Sequence, residues 1–225
     1  TNKLLAKTMM QQFGIPTPAF VALTDFKEKK YPENAKYILK AVWEHASFGM
    51  DEHTFKTLDS VEEVRQTLLA KGNKSHDFFA EEYIDGREFN ISILGGENGA
   101  EVMPLAEIKF VDYPDDKLKI VGYRSKWDEE SFEYQHTVRT FNDPTKELEL
   151  QQKLKTICLN CWKAFNLKGY VRVDFRIDQQ GNPWVLEINT NPCISPDAGF
   201  MAATKQAGIE ETEVFKRIIY DTLAF

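Results

Sequence analysis

The sequence predicts an α+β fold. Strand-like and helical stretches alternate irregularly along 225 residues, without the regular strand–helix succession of a parallel sheet. Residues 170–189, YVRVDFRIDQQGNPWVLEIN, read as a β-hairpin. Val171, Val173, Phe175 and Ile177 alternate with polar residues in one half, and Trp184, Leu186 and Ile188 do so in the other. Residues 146–165 show the apolar period of a long amphipathic helix.

The remaining elements follow in order. Residues 3–13 predict a helix stopping at Gly14, with Pro16 and Pro18 blocking continuation. Residues 19–23 and 37–40 predict strands, the second running into a loop over 44–49. Ser60-Val61-Glu62-Glu63 is a capping box, in which serine and glutamate side chains satisfy the first backbone N–H groups, and it opens a helix to about Lys71. Strands are predicted over 77–83 and 88–94 around a turn at 84–87, and Gly95, Gly96 and Gly99 predict a bend into a strand over 100–110. Residues 111–142 are polar and irregular, with a strand-like piece at 118–122. Asp143-Pro144 predicts the start of the long helix, with the acid as cap and proline at the first helical position. After the hairpin come a loop over 190–196, a helix over 198–206 and a final helix over 210–223, with Val214, Ile218, Ile219 and Leu223 on one face. There is no internal repeat.

Composition narrows the function. Hydrophobic residues make up 42%, enough for a packed core, and the net charge of −7 argues against nucleic acid or an anionic membrane as the main partner. No run approaches the ~18 apolar residues of a spanning helix, no signal peptide opens the chain, and a cytoplasmic setting is expected. Cys158 and Cys161 fall on the apolar face of the long helix with Leu154, Ile157 and Trp162. They read as buried reduced thiols, because no second ligand pair exists to complete a zinc site. The chain begins Thr1-Asn2-Lys3, without methionine, and reads as part of something longer or as a processed product.

The hairpin holds the strongest chemical signal. Closing it with a loop over 179–182 sets Asp174 opposite Glu187 and Arg172 opposite Asn189, all on one face. Two carboxylates and an amide oxygen beside an arginine form the composition of a hard-cation and phosphate site. The rival is a solvated polar face. That reading predicts mixed Lys, Thr and Ser, not two acids directly across from one another, where like charges repel unless a cation joins them. A one-residue slip would remove the pairing.

Other groups are weaker. Lys40 ends a strand before a loop with Ala46, Ser47 and Gly49, and a lysine beside exposed backbone N–H groups can hold polyphosphate; locally, a solvated strand-end lysine is the better reading. Neither the Walker pattern nor GxGxxG is present. Residues 81–88, EEYIDGRE, are acid-rich around a turn and could be plain solvated turn chemistry. Lys126 has no local support for a role, and His45, His53, His76 and His136 fit no ligand spacing.

Taken in order, NKLLAKTMMQQFGIPTP, YILKAVWEHASFGM, AEEYIDGREFNISIL, YVRVDFRIDQQGNPWVLEINTNP and AATKQAGI resemble the ATP-grasp superfamily, nearest to the D-alanine–D-alanine ligase family. The resemblance covers nearly the whole chain. It implies two α+β lobes with ATP sandwiched between antiparallel sheets: residues 1–20 lead in, 21–83 form the small lobe, and 84–225 form the large lobe with the metal site. It implies an ADP-forming carboxylate–amine ligase working through an acyl phosphate on small-molecule substrates, with ATP and two Mg²⁺ ions, or Mn²⁺, as cofactors. The alternatives are a nucleotide-binding module without ligase activity and, as a minor one, a phosphotransferase.

Residue roles follow from the same resemblance. Asp174, Glu187 and Asn189 resemble the metal ligands, and Arg172 the catalytic arginine that steadies the acyl phosphate. Lys3, Lys40 and Lys126 resemble phosphate lysines, and Ser47, Phe48 and Gly49 the loop over the phosphates. Glu81, Glu82 and Ile84 resemble the adenine hinge, the last two through backbone groups, and Glu88 the ribose acid. Cys193, Asp197, Ala198 and Gly199 fall where the second substrate is held. Three departures stand out. The N-terminal lobe of these ligases is missing, so a partner lobe or subunit is expected, and a dimer is compatible with the charge. Ala41 stands where proline commonly follows the strand lysine, and Gly49 alone survives as glycine in its loop. Cys193 replaces a usual glycine, and Asp197 places a negative charge where a carboxylate would sit, which predicts an acceptor amine other than D-alanine.

Overall fold

In the computed structural model, which describes residues 2–24, 35–43 and 57–223, Asn2 opens the first helix. Its Oδ1 accepts from Leu5 N at 2.9 Å, which satisfies one of the unpaired donors of α1 (Lys3–Gln12). The chain divides into two units. The first comprises Thr1–Gln12, Thr17–Ile84 and Val111–Thr137; the second comprises Phe13–Pro16, Asp85–Phe110 and Val138–Phe225. Residues 111–137 thus group with the first unit, and Phe13–Pro16 with the second.

The first unit is built on an antiparallel sheet of β1 (Phe20–Val21), β2 (Tyr37–Ala41), β3 (Thr57–Leu58) and β4 (Phe78–Glu82), in the order β1-β4-β2-β3. Side chains alternate across it. Val21, Tyr37, Leu39, Leu58 and Ala80 bury one face against Val64 and Leu68 of α2 (Val61–Ala70). The other face holds Phe20, Phe79 and Val42, with Leu4 of α1 packed on them. The capping box forms: Ser60 Oγ accepts from Glu63 N at 3.1 Å, while the glutamate reaches Asp59 N at 2.9 Å, one residue beyond the expected donor. A short 3-10 turn, Gly72–Asp77, precedes β4.

Residues 111–137 are more ordered than their polarity suggests. They contain α3 (Arg124–Trp127) and α4 (Phe132–His136). Ser131 caps the second by accepting from Tyr134 N at 3.1 Å, and His136 stacks on Phe132. The strand expected at 118–122 is absent. Ile120 N bonds to Leu118 O and Gly122 N to Ile120 O, each at 3.1 Å, so tight two-residue turns occupy the groups a ladder would need.

The second unit holds β5 (Arg87–Leu94), β6 (Glu101–Val102), β7 (Ala106–Phe110), β8 (Thr137–Phe141), β9 (Tyr170–Ile177) and β10 (Pro183–Asn189). They pair in the order β10-β9-β5-β7-β8, with β6 also on β5. The strand expected over 100–110 is broken by Met103-Pro104-Leu105 into β6 and β7, since proline cannot donate to a ladder. Phe89, Ile91, Ile93, Val171, Val173, Phe175 and Val185 form a fully buried face.

Three helices complete the unit: α5 (Leu148–Ala164), α6 (Gly199–Gln206) and α7 (Glu211–Leu223). The long helix starts four residues later than expected. Asp143 closes a turn on Thr145 instead, accepting from its N at 2.9 Å and its Oγ1 at 2.7 Å. Glu147 then takes a left-handed conformation, φ 50°, before α5 begins. Its carboxylate is held by Arg87 at 2.6 Å. Leu154, Cys158 and Cys161 of α5 are buried, and both thiols are free. Burial pushes Cys161 up to about 12, and Cys158 well above its ordinary value, so both are inert thiols. On α7 only Val214 is fully buried and Ile218 packs beside it, in a cluster with Phe200, Met201 and Leu94. Ile219 and Leu223, expected on that face, are exposed. Among the described residues no helix is long and apolar enough to cross a membrane.

Candidate active site

The hairpin of β9 and β10 has the expected pairs by an unexpected route. The loop spans five residues, 178–182, between the paired Ile177 and Pro183. Asp178 organises it by accepting from Gln180 N (3.0 Å), Asn182 N (2.8 Å) and Trp184 Nε1 (3.0 Å). A bulge at Leu186 then offsets the extra loop residue, so Glu187 lies opposite Asp174 and Asn189 opposite Arg172. The bulge also changes faces. Val185 and Ile188, not Trp184 and Leu186, lie across from Phe175 and Val173 of the apolar face.

On β5, Asn90 lies opposite Asp174 and Ser92 opposite Arg172. The polar stripe therefore crosses three strands. Arg172 grips both oxygens of Asp174 with one edge of its guanidinium, Nε donating to Oδ1 at 2.7 Å and Nη2 to Oδ2 at 2.9 Å. Burial would favour a neutral arginine, but Asp174 first, then Glu187 and Glu88, hold its pKa above the ordinary value. Three acids thus surround one half-buried arginine.

Arg176, which the sequence reading passed over, continues the stripe two residues on. It is buried, pairs with Glu88 at 3.2 Å, and donates to Gly86 O at 2.9 Å. Gly86 itself is forced: its φ is 150°, and a Cβ there would stand 2.0 Å from Ile177 O. Glu88 is therefore a buried, ion-paired acid.

The loop after β10 carries the expected second-substrate residues. Cys193 Sγ lies 3.1 Å from Ser195 Oγ, and Cys193 and Asp197 are exposed, whereas Ala198 and Gly199 are half-buried at the start of α6. Arg139 of β8 stands beside them, its Nη2 3.5 Å from Asp197 O. The Asp197 carboxyl lies below its ordinary value, chiefly through Ser195 and further through Arg139. Asp197 is thus an exposed carboxylate, with Arg139 at its main-chain carbonyl and not at its side chain.

In the first unit, two of the expected phosphate lysines, Lys3 and Lys40, lie at one end of the sheet. Lys3 N donates to Val42 O at 2.9 Å, just past Lys40 on β2. Lys40 Nζ binds Glu81 Oε1, and Lys7 Nζ, not singled out from sequence, binds Glu81 Oε2. Glu81 is only 2% exposed. Burial pushes its carboxyl up, and the two lysines more than reverse that, leaving it below its ordinary value. The Glu82 N–H is committed to Ala19 O at 2.8 Å, so a hinge role would fall to its carbonyl; Ile84 is buried at the end of the unit. Lys126 sits half-buried in α3. Ser47, Phe48 and Gly49, with His45 and His53, lie outside the described residues.

A metal can be tested against these donors. Among the described residues no group of three or more His, Cys, Asp or Glu could hold an ion alone. Asp174 and Glu187 as cross-strand neighbours, with the Asn189 amide beside them, instead form a partial oxygen set. Magnesium retains several waters and shares substrate phosphates, so such a set fits it.

The solved structures most like this chain include the D-alanine–D-alanine ligase of Bacillus anthracis complexed with ATP. It gives a TM-score of 0.68 at 21% identity, over 99% of this chain and 65% of that one. D-alanyl-alanine synthetase A of Vibrio cholerae gives 0.72 at 16% identity, with 99% and 65% covered. The fold is that of the ATP-grasp class. Among sequence relatives, an uncharacterized protein of Sinorhizobium fredii is 29% identical over 97% of this chain and 61% of its own length. The D-alanine–D-alanine ligase of Bordetella avium is 25% identical over 98% and 65%. This chain thus spans less than two thirds of these relatives. The family described as D-ala D-ala ligase C-terminus matches residues 9–220, and the chain belongs to it.

Proposed function

We propose that this chain is the ATP-binding core of an ADP-forming carboxylate–amine ligase. The observation that supports it most is the polar stripe of β9 and β10, where Asp174 and Glu187 face each other beside Arg172 and Asn189. Asp174, Glu187 and Asn189 would hold two Mg²⁺ ions, which when bound neutralise and orient the ATP phosphates. Lys3, Lys40 and Lys126 would contact phosphate, Glu82 and Ile84 the adenine through backbone groups with Glu81 behind them, and Glu88 the ribose. Arg172, an always-charged fork, is suited to the transferred phosphoryl group. A substrate carboxylate oxygen attacks the γ-phosphorus and ADP leaves; an amine then attacks the acyl carbon and phosphate leaves. Arg172 would balance negative charge in both steps.

Names of relatives support an amino acid as the amine substrate, while the exposed Asp197 carboxylate would repel a second carboxylate, so the acceptor is one other than D-alanine, with D-alanine in the test panel. Cys193, Asp197, Ala198 and Gly199 would line its site. The competing reading, a nucleotide-binding module without ligase activity, draws on the share of the relatives' length that this chain spans. Phosphate release from Mg-ATP decides between them, measured on the chain and on its full-length gene product with amino-acid panels. Release that needs two substrates together supports the ligase. ATP binding without release under any pair supports the module.

A further inference from the structure

We propose that Lys7 is a positioning residue for nucleotide binding: it keeps the Glu81 carboxylate compensated, so that Lys40 is released to a phosphate. This rests on reading Lys40 as a nucleotide-phosphate lysine. Glu81 is a single buried carboxylate with two lysines, each on its own oxygen, Lys7 on Oε2 and Lys40 on Oε1. The two are not equivalent. Lys7 is sealed, its side chain 3% exposed, and it is also held by Thr17 Oγ1 at 2.7 Å. Lys40 is 20% exposed, at the end of β2.

A buried carboxylate with one counter-charge resists losing it, because an unpaired buried charge is strongly unfavourable. With two, one can leave. The exposed lysine is the one able to turn outward, while the enclosed one, anchored on a second acceptor, stays. Without Lys7, Lys40 would be the carboxylate's counter-charge, and a phosphate would have to compete with Glu81 for it.

The test uses the ratio of Mg-ATP affinity to adenosine affinity on the whole chain, because adenosine reports the base and ribose contacts without the phosphates. In Lys7→Met the ratio is expected to fall about tenfold, and in Lys7→Met/Glu81→Gln to return to within about threefold of wild type. Thermal unfolding checks the fold of each. If Lys7→Met does not fold, Lys7→Gln, which keeps a donor for Thr17, supplies the same comparison. An unchanged ratio in the folded single variant overturns the proposal. So does a ratio that stays equally low in the double variant, because a merely structural loss would not be repaired by removing the carboxylate. A wild-type chain that binds adenosine but gains nothing from the phosphates overturns the reading of Lys40 instead.

Discussion

The two units each set acids among cations on an antiparallel sheet, and they solve the electrostatics in opposite ways. In the first, one carboxylate, Glu81, is enclosed by two lysines. In the second, Arg172 grips Asp174, and Glu187 and Glu88 act on the same arginine through their charge. The first cluster has cation to spare. The second sets three carboxylates, Asp174, Glu187 and Glu88, against two arginines, Arg172 and Arg176, and stands half-open. A region short of positive charge is suited to a divalent ion, and one with a surplus to phosphate. Under the proposed function the first cluster would suit phosphate and the second a divalent ion.

The comparison breaks most visibly at Glu187. If the anion surplus holds metal, Glu187→Gln should lower Mg-dependent ATP turnover by about 10³-fold or more, equivalent to about 4 kcal/mol, with little change in unfolding. Near-full turnover would remove the metal assignment. A smaller effect is expected where the second unit behaves like the first. Arg176 and Glu88 form a buried pair, so Arg176→Met should cost about 3 kcal/mol in denaturant unfolding by leaving Glu88 uncompensated. A loss under about 1 kcal/mol would show the pair to be solvated. The smallest effect is the pH dependence of Glu81, whose folded pKa lies below the ordinary 4.5. Its contribution is complete above the unfolded value and is lost as pH falls through the lower folded one. Urea midpoints of wild type and Glu81→Gln should therefore converge on acidification, and a gap that widened would reverse the sign.

How much of this was legible depends on how local each signal is. The ladder pairs of β9 and β10 followed from alternation, although the predicted loop was one residue short; the error cancelled because the Leu186 bulge absorbed the same single residue. The faces of Trp184 and Leu186 did not survive, since they depended on an unbroken ladder. Arg176 was readable in principle: it follows Arg172 and Asp174 at the same two-residue spacing. Lys7 was not, because on its helix it is one lysine among several polar residues, and its partners Glu81 and Thr17 come from other segments. Arg139 likewise lies far in sequence from the loop it touches. The segment 111–137 hid its helices because they are four and five residues long, too brief for periodicity to register, and only the second has a serine cap.

Leu186 has a final consequence. Removing it would let the ladder run unbroken from Pro183 to Asn189 while every neighbour across the strands, Glu187 with Asp174 and Asn189 with Arg172, stayed the same. What would change is the aim of those side chains, because a bulge adds local twist. A one-residue deletion thus separates two things that point substitutions cannot: which groups are adjacent, and the angle at which they meet a ligand.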